Sequence, residues 1–334
     1  MGCLTSVEHS KNVGAYIDAN KGRETFAEYA ERWRANQVHR PTTAERVEGV
    51  LRRHVYPSLG AKPLASIRQS DVQAFVRRVS DTLAPSTTEL VYRYVVTILR
   101  AAVADQLIAS MPTARVKLPK AQVRRVVPLE LAQVHAVIDA MPERYRALVV
   151  LAAGTGLRQG EAFGVTVDRV DFLRRTLVVD RQIVLTPHVA PVLAPPKTDA
   201  STRTVPLPTV VTEALAAHLA KFPPGDNGLI FTSAMGEPLR RTKFSETWRA
   251  AVKAAGVPDA NFHGLRHFYA SMLIRSGCSV KVVQARLGHA TATETLDTYS
   301  HLWPDDEDRT RAAVDGLLGT SRVTVVSRSA SDAR

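Results

Sequence analysis

The sequence predicts a mainly α-helical protein with a small antiparallel β-sheet, folded as two domains. Three observations carry this. Apolar residues recur at helical spacing through residues 25–106. One β-branched run, Arg175–Leu185 (RTLVVDRQIVL), is followed across the Pro-rich turn PPKTDA by STRTVPL at 201–207, which reads as a hairpin. Between these regions, residues 110–128 hold Arg115, Lys117, Lys120, Arg124 and Arg125, no acid, and Pro112, Pro119 and Pro128. Prolines stop helices and like charges stretch a chain, so this segment is an extended basic linker.

The elements follow in order. Residues 1–22 show no sustained period and read as a flexible leader. Phe26, Tyr29, Ala30 and Trp33 fall at i, i+3, i+4 and i+7, with Thr25 as N-cap. A second helix starts near Thr42–Thr43 and carries Val47, Val50, Leu51 and His54. Ser70 caps a third, which buries Val72, Phe75, Val76 and Val79. The fourth runs from Ser86 to Gln106 with Leu90, Tyr94, Ile98 and Leu99 on one face. Together these make a four-helix domain over 23–107, with a linker at 108–127. Its outer faces carry Arg52, Arg53, Arg77, Arg78, Arg93 and Arg100. The second domain, 128–318, opens with helices at 129–140 and 143–155, the latter closed by Gly154 and Gly156. After the hairpin, helices return at 209–221, 242–255, 264–276, 279–287 and 293–299. A short helix, Asp308–Leu318, precedes the tail 319–334, whose Arg322–Val326 reads as a strand.

Composition narrows the function. The 334 residues are 45% hydrophobic and 23% charged, so a packed core is expected. The longest apolar run, Ala147–Ala153, has seven residues, short of the ~20 that cross a bilayer. The N-terminus has no signal-peptide pattern, and two cysteines, Cys3 and Cys278, make no disulfide framework. The expectation is a cytoplasmic protein without membrane contact. Net charge is +12, of which +9 lies in residues 1–127. Such a basic half suits a polyanion, nucleic acid first.

Phosphate-loop, dinucleotide and H-E-x-x-H motifs are missing, so no metal or nucleotide cofactor is expected. What stands out is GTGLRQGE (154–161), PPKTDASTR (195–203), HGLRH (263–267), LGH (287–289) and TLDTYSH (295–301). His263 and Arg266 share a helix face, and Arg158 follows a glycine turn that lets a guanidinium approach a ligand. Two arginine forks suit a phosphate and can stabilise a pentavalent transition state. Lys197 on a turn can protonate a leaving oxygen, and Tyr299 can attack phosphorus once cations or a base ionise it. Singly, each has an ordinary reading: a surface ion pair, a solvated lysine, core or metal-binding histidines among His263, His267, His289 and His301, or an anchoring tyrosine ring.

Together the segments resemble the catalytic signature of the tyrosine recombinases, the family of lambda-type phage integrases. The likeness runs through 128–303 and, more loosely, 23–106. Arg158, Lys197, His263, Arg266, His289 and Tyr299 each match a catalytic position, while Glu161 and His267 match supporting ones. The resemblance implies a SAM-like core-binding helical domain joined to an α+β catalytic domain. It implies DNA strand exchange without metal or ATP, through a 3′-phosphotyrosine on Tyr299. Arg158 and Arg266 would hold the non-bridging oxygens, Lys197 would protonate the 5′ oxygen, and His263 and His289 would assist. Implied partners are double-stranded DNA attachment sites, a homotetramer on two DNA segments and an accessory bending or excision factor, in a bacterial nucleoid. Lys117, Lys120, Arg124 and Arg125 would contact phosphates beside the six helical arginines. Residues 1–22 resemble the remnant of an arm-site binding region. A relaxing type IB topoisomerase and a catalytically silent DNA-binding protein of the same fold are the alternatives.

Overall fold

The structure, a computed structural model, describes residues 21–120, 125–185, 190–196, 198–303 and 307–326. It divides into two compact units, Met1–Arg124 and Arg125–Arg334.

In the first unit, α1 (Phe26–Ala35) starts at a reciprocal cap. The Glu28 carboxylate accepts from the Thr25 N–H (2.9 Å), and the Thr25 hydroxyl accepts from the Glu28 N–H (3.3 Å). Helix α2 (Pro41–Val50) begins earlier than Thr42, because Pro41 at its first position already has a helical φ. It runs on through Leu51–Gly60 in wider i→i+5 winding, where Pro57 supplies no N–H to the ordinary ladder. Ser70 is not the cap of α3 (Gln69–Ser80). Extended Arg68 holds that place, its N–H donating to Asp71 at 2.9 Å. Helix α4 (Pro85–Ala104) is rotated from the expected face: Val91, Val95, Ile98 and Leu99 are fully buried, whereas Leu90 and Tyr94 are half-buried. A 20-residue helix drifts around its axis, so a few large apolar residues do not define the buried stripe. These helices enclose Phe26, Tyr29, Leu51, Val55, Leu59 and Phe75.

The second unit opens with α5 (Leu131–Ala140) and α6 (Glu143–Thr155), whose apolar stretch is buried. A short α7 (Gln159–Phe163) follows. The β-branched run is two strands rather than one. Strand β2 (Thr176–Val179) pairs antiparallel with β1 (Val170–Asp171) and β5 (Arg203–Pro206), while β3 (Gln182–Val184) pairs with β4 (Val192–Ala194) in a separate hairpin. The break falls at Asp180–Arg181. Asp180 binds Arg169 at 2.7 Å and Arg181 at 2.8 Å, ion pairs that a pleated ladder would not accommodate. The expected pairing of 175–185 with 201–207 survives in its first half, with Leu177 opposite Val205.

Helices α8 (Thr209–Lys221), α9 (Arg241–Ala254), α10 (His263–Arg275), α11 (Val280–Leu287) and α12 (Ala292–Tyr299) complete the unit. The segment expected as a strand at 322–326 is helical: α13 runs Glu307–Val326. Strand propensity expresses fit to a paired, half-buried surface, and among the described residues no strand pairs with this segment. Among the described residues no helix is long and apolar enough to cross a membrane.

Candidate active site

Two left-handed glycines shape the site. Gly156 (φ 66°) ends α6, and its N–H donates to the Ala152 carbonyl at 3.0 Å. The reversal sets Arg158 in extended conformation as N-cap of α7, with Glu161 at its third position. Gly288 (φ 65°) ends α11 in the same way and delivers His289. Side chains other than glycine adopt this backbone only with strain.

Arg158 is held on both sides. Its backbone N–H and Nη1 donate to Glu161 at 3.0 and 3.1 Å, and Nη2 donates to the Gly288 carbonyl at 3.2 Å. Arg266 is 2% exposed and donates Nη1 to the Gly156 carbonyl at 2.8 Å. The α10 cation therefore fastens the turn that presents Arg158. Arg266 Nη2 is buried without a hydrogen-bond partner among the described residues. Burial first, then the Arg158 charge, lowers the Arg266 guanidinium to about 10, so it stays charged at neutral pH. A buried guanidinium with a donor to spare is an anion site in waiting.

Tyr299 ends α12 with 1% exposure, among Tyr269, Ala270, Ile274, Val283 and Leu287. Its hydroxyl lies 2.8 Å from His267 Nδ1, and its ring stacks on His289 at a 6.5 Å centroid distance. Burial pushes the phenol up to about 12, against the pull of Arg266. His289 Nδ1 lies 2.8 Å from the Thr295 hydroxyl and its Nε2 3.6 Å from Glu294. His263, at the open rim, stacks edge-on with His267 at 4.7 Å. Desolvation, then the Arg266 and Arg158 charges, lowers His263.

Thus Arg158, Glu161, His263, Arg266, His267, His289 and Tyr299 converge, although their sequence positions span 142 residues. Lys197 lies outside the described residues, as does Arg124. His301 is not drawn in: its Nε2 meets the Val126 carbonyl at 2.9 Å. Among the described residues no group of three or more His, Cys, Asp or Glu side chains is placed to hold a metal ion. Arg52, Arg53, Arg77, Arg78, Arg93 and Arg100 are exposed in the first unit, as are Lys117 and Lys120; Arg125 is exposed in the second. Sequence reasoning missed Arg203 and Thr295. Arg203 closes the quoted segment PPKTDASTR, and the signal that could have found it is its place two residues before Val205 and four before Leu207, on the same face of an alternating strand.

The buried imidazoles give the unit an acid-labile centre. Burial, then neighbouring positive groups, lowers His267 to about 4 and His289 to about 3. Unfolded, both take up protons near pH 6.5. The unfolded chain thus binds more protons below that pH. Stability, intact above 6.5, falls as pH drops toward 4. The urea midpoint is expected to be clearly lower at pH 4.5 than at pH 7, and a midpoint unchanged across that range would contradict the neutral assignment.

Comparison with known proteins agrees with this geometry. The phage integrase family matches residues 127–305, and the phage integrase central domain matches residues 26–118. The prophage phiRv2 integrase of Mycobacterium tuberculosis (strain H37Rv) is 31% identical over 290 residues, covering 83% of this chain and 74% of the relative. The integrase of Mycobacterium phage FRAT1 is 26% identical, covering 80% and 81%. Among solved structures, the Tn1549 transposon integrase in complex with a circular intermediate DNA superposes with a TM-score of 0.75 at 22% identity, covering 88% of this chain and 99% of that one. A lambda integrase dimer bound to a core site gives 0.64 at 20% identity, covering 81% and 97%. With both of its units matched and this constellation assembled, the chain belongs to the phage integrase family, the tyrosine recombinases.

Proposed function

We propose that the protein is a site-specific DNA recombinase that integrates and excises a phage or other mobile element through a 3′-phosphotyrosine intermediate. The observation that carries this reading is the buried, half-partnered Arg266 beside Arg158 and the Tyr299 hydroxyl. Tyr299 Oη attacks the scissile phosphorus and the P–O5′ bond breaks, leaving DNA joined to the enzyme through its 3′ phosphate. Arg158 and Arg266 bind the non-bridging oxygens, where negative charge grows. Lys197 gives its proton to the departing 5′ oxygen, and the phenol proton passes to a neighbouring imidazole, with His263 and His289 assisting. Attack of a 5′-hydroxyl from a second duplex reverses these steps; the covalent link conserves bond energy, so no ATP is needed, and the charges of Arg158 and Arg266 serve the growing negative charge in place of a metal.

Residues 23–107 bind the core site, the basic linker 108–127 follows the DNA backbone, and 128–318 cut. A solved relative, lambda integrase, forms a tetramer on a Holliday junction. We assign this chain the same homotetramer on attachment-site DNA, with an accessory bending factor, on the nucleoid of a bacterial host.

The test is covalent trapping. Incubated in EDTA with a nicked duplex carrying its attachment site, the protein should yield an adduct on a denaturing gel, with the DNA on the peptide containing Tyr299. DNA that is bound but never linked would overturn the reading. Neutralising Lys117, Lys120, Arg124 and Arg125 together should reduce the slope of log K against log salt by about 3.6, at about 0.9 per phosphate contact. An unchanged slope would remove these four from the interface.

A further inference from the structure

We propose that Arg203 is a positioning residue of the cleavage site: it neutralises Glu161, so that Glu161 aligns Arg158 without drawing that guanidinium's charge away from the phosphate. The proposal rests on Arg158 as a phosphate ligand.

Arg203 projects from β5 with its side chain 6% exposed, against a Glu161 carboxylate 3% exposed. Nη2 and Nη1 donate to the two Glu161 oxygens at 2.9 and 3.4 Å. Nε donates to the Arg286 carbonyl at 2.9 Å, and Nη1 also donates to the Ser201 carbonyl at 2.8 Å. One guanidinium thus reaches the α7 carboxylate, the last turn of α11 and the turn that leads into its own strand. Gly288 makes room for it: a Cβ there would lie 2.9 Å from Arg203 Nη1 and 3.2 Å from the Ala200 carbonyl. Both groups that hold the Arg158 side chain, Glu161 and the Gly288 turn, are therefore also packed against Arg203.

Charge gives the arrangement its purpose. Burial pushes the Glu161 carboxyl up, but the Arg203 charge and hydrogen bonds, then Arg158, bring it below its ordinary range. Glu161 is ionised. Paired with Arg158 alone, it would cancel the cation meant for the phosphate and leave Arg266 as the lone compensating charge. With Arg203 in place, three guanidiniums face one carboxylate, and a surplus of two positive charges remains for the phosphodiester. The role needs a fork, because the point charge of a lysine cannot meet two carboxylate oxygens and two carbonyls at once.

The experiment measures single-turnover cleavage of a nicked attachment-site duplex and DNA affinity for the full chain and four variants: R203Q, R203K, E161Q and E161Q/R203Q. R203Q should cleave about 10- to 100-fold more slowly, the range for groups that orient a site's primary ligands, with DNA affinity little changed. R203K should fall between R203Q and wild type. The double variant should recover the E161Q rate, because no unpaired charge remains. Should R203Q fail to fold, as a stranded buried carboxylate threatens, the double variant still decides by the same comparison with E161Q. Recovery there supports charge balancing, whereas a folded double variant cleaving far below E161Q reduces Arg203 to a structural strut and overturns the proposal. R203Q cleaving at the wild-type rate also overturns it. Absence of an adduct from wild type fells the phosphate reading itself, a failure distinct from these.

Discussion

Tyr299→Phe is expected to abolish the covalent protein–DNA adduct while leaving fold and DNA affinity intact. The substitution removes one oxygen and keeps the ring in its apolar setting against Tyr269, Ala270 and Leu287. The lost contact is the single hydrogen bond to His267, a net cost of about 1 kcal/mol in a fold whose total stability is typically about 5–15 kcal/mol. The chemical cost is of another order. Removing the nucleophile leaves only positioning and electrostatics, and comparable deletions reduce turnover by a factor on the order of 10⁶. In a denaturing gel the adduct band should vanish, while a mobility-shift titration stays at the wild-type midpoint. An adduct formed by the variant at the wild-type rate would place the nucleophile elsewhere.

Arg266→Met should separate stability from activity. The pocket disfavours the cation: burial, then the Arg158 charge, brings the guanidinium down to about 10, a penalty on the order of a few kcal/mol. Methionine relieves that penalty but strands the Gly156 carbonyl that Nη1 satisfies, which costs about 1–3 kcal/mol. The two effects nearly cancel, so the thermal midpoint should barely move. Cleavage should fall by about 10³-fold or more, since even one neutral oxyanion donor is worth about 10²–10³ and this donor is charged. Ligand linkage offers a second readout. Inorganic sulfate, binding the folded wild type through Arg266, should raise its midpoint and leave that of the variant unmoved. A variant that cleaves normally, or that sulfate stabilises as well as it does wild type, would remove Arg266 from the phosphate site.

The helical first unit was readable because its elements are local. Thr25 caps its helix within a single turn, and Val72, Phe75, Val76 and Val79 recur at the spacing of one buried helix face. The misreadings have separate causes. Ser70 has the chemistry of a cap, but Asp71 reaches the Arg68 N–H first. The strand at 175–185 looked continuous because Asp180 meets Arg169, eleven residues away, only in three dimensions. At the C-terminus, β-branched residues continue a helix because strand character depends on a partner strand.

The site divides along the same line. Residue types and their order by themselves determined the reactive inventory: two arginine forks, the histidines and a tyrosine, each on a segment whose glycine turn or helical spacing is written locally. Which groups meet was decided by tertiary structure alone. His267 rather than His263 faces the Tyr299 hydroxyl, His301 turns instead to the Val126 carbonyl, and Arg203 crosses from β5 to complete the Glu161 pair. Protonation was settled at that level as well. A phenol at about 12 and imidazoles at about 4 and 3 arise first from burial, which depends on how the chain packs; charges distant in sequence add to it at His289, whereas His263 and Arg266 of its own helix add to it at His267.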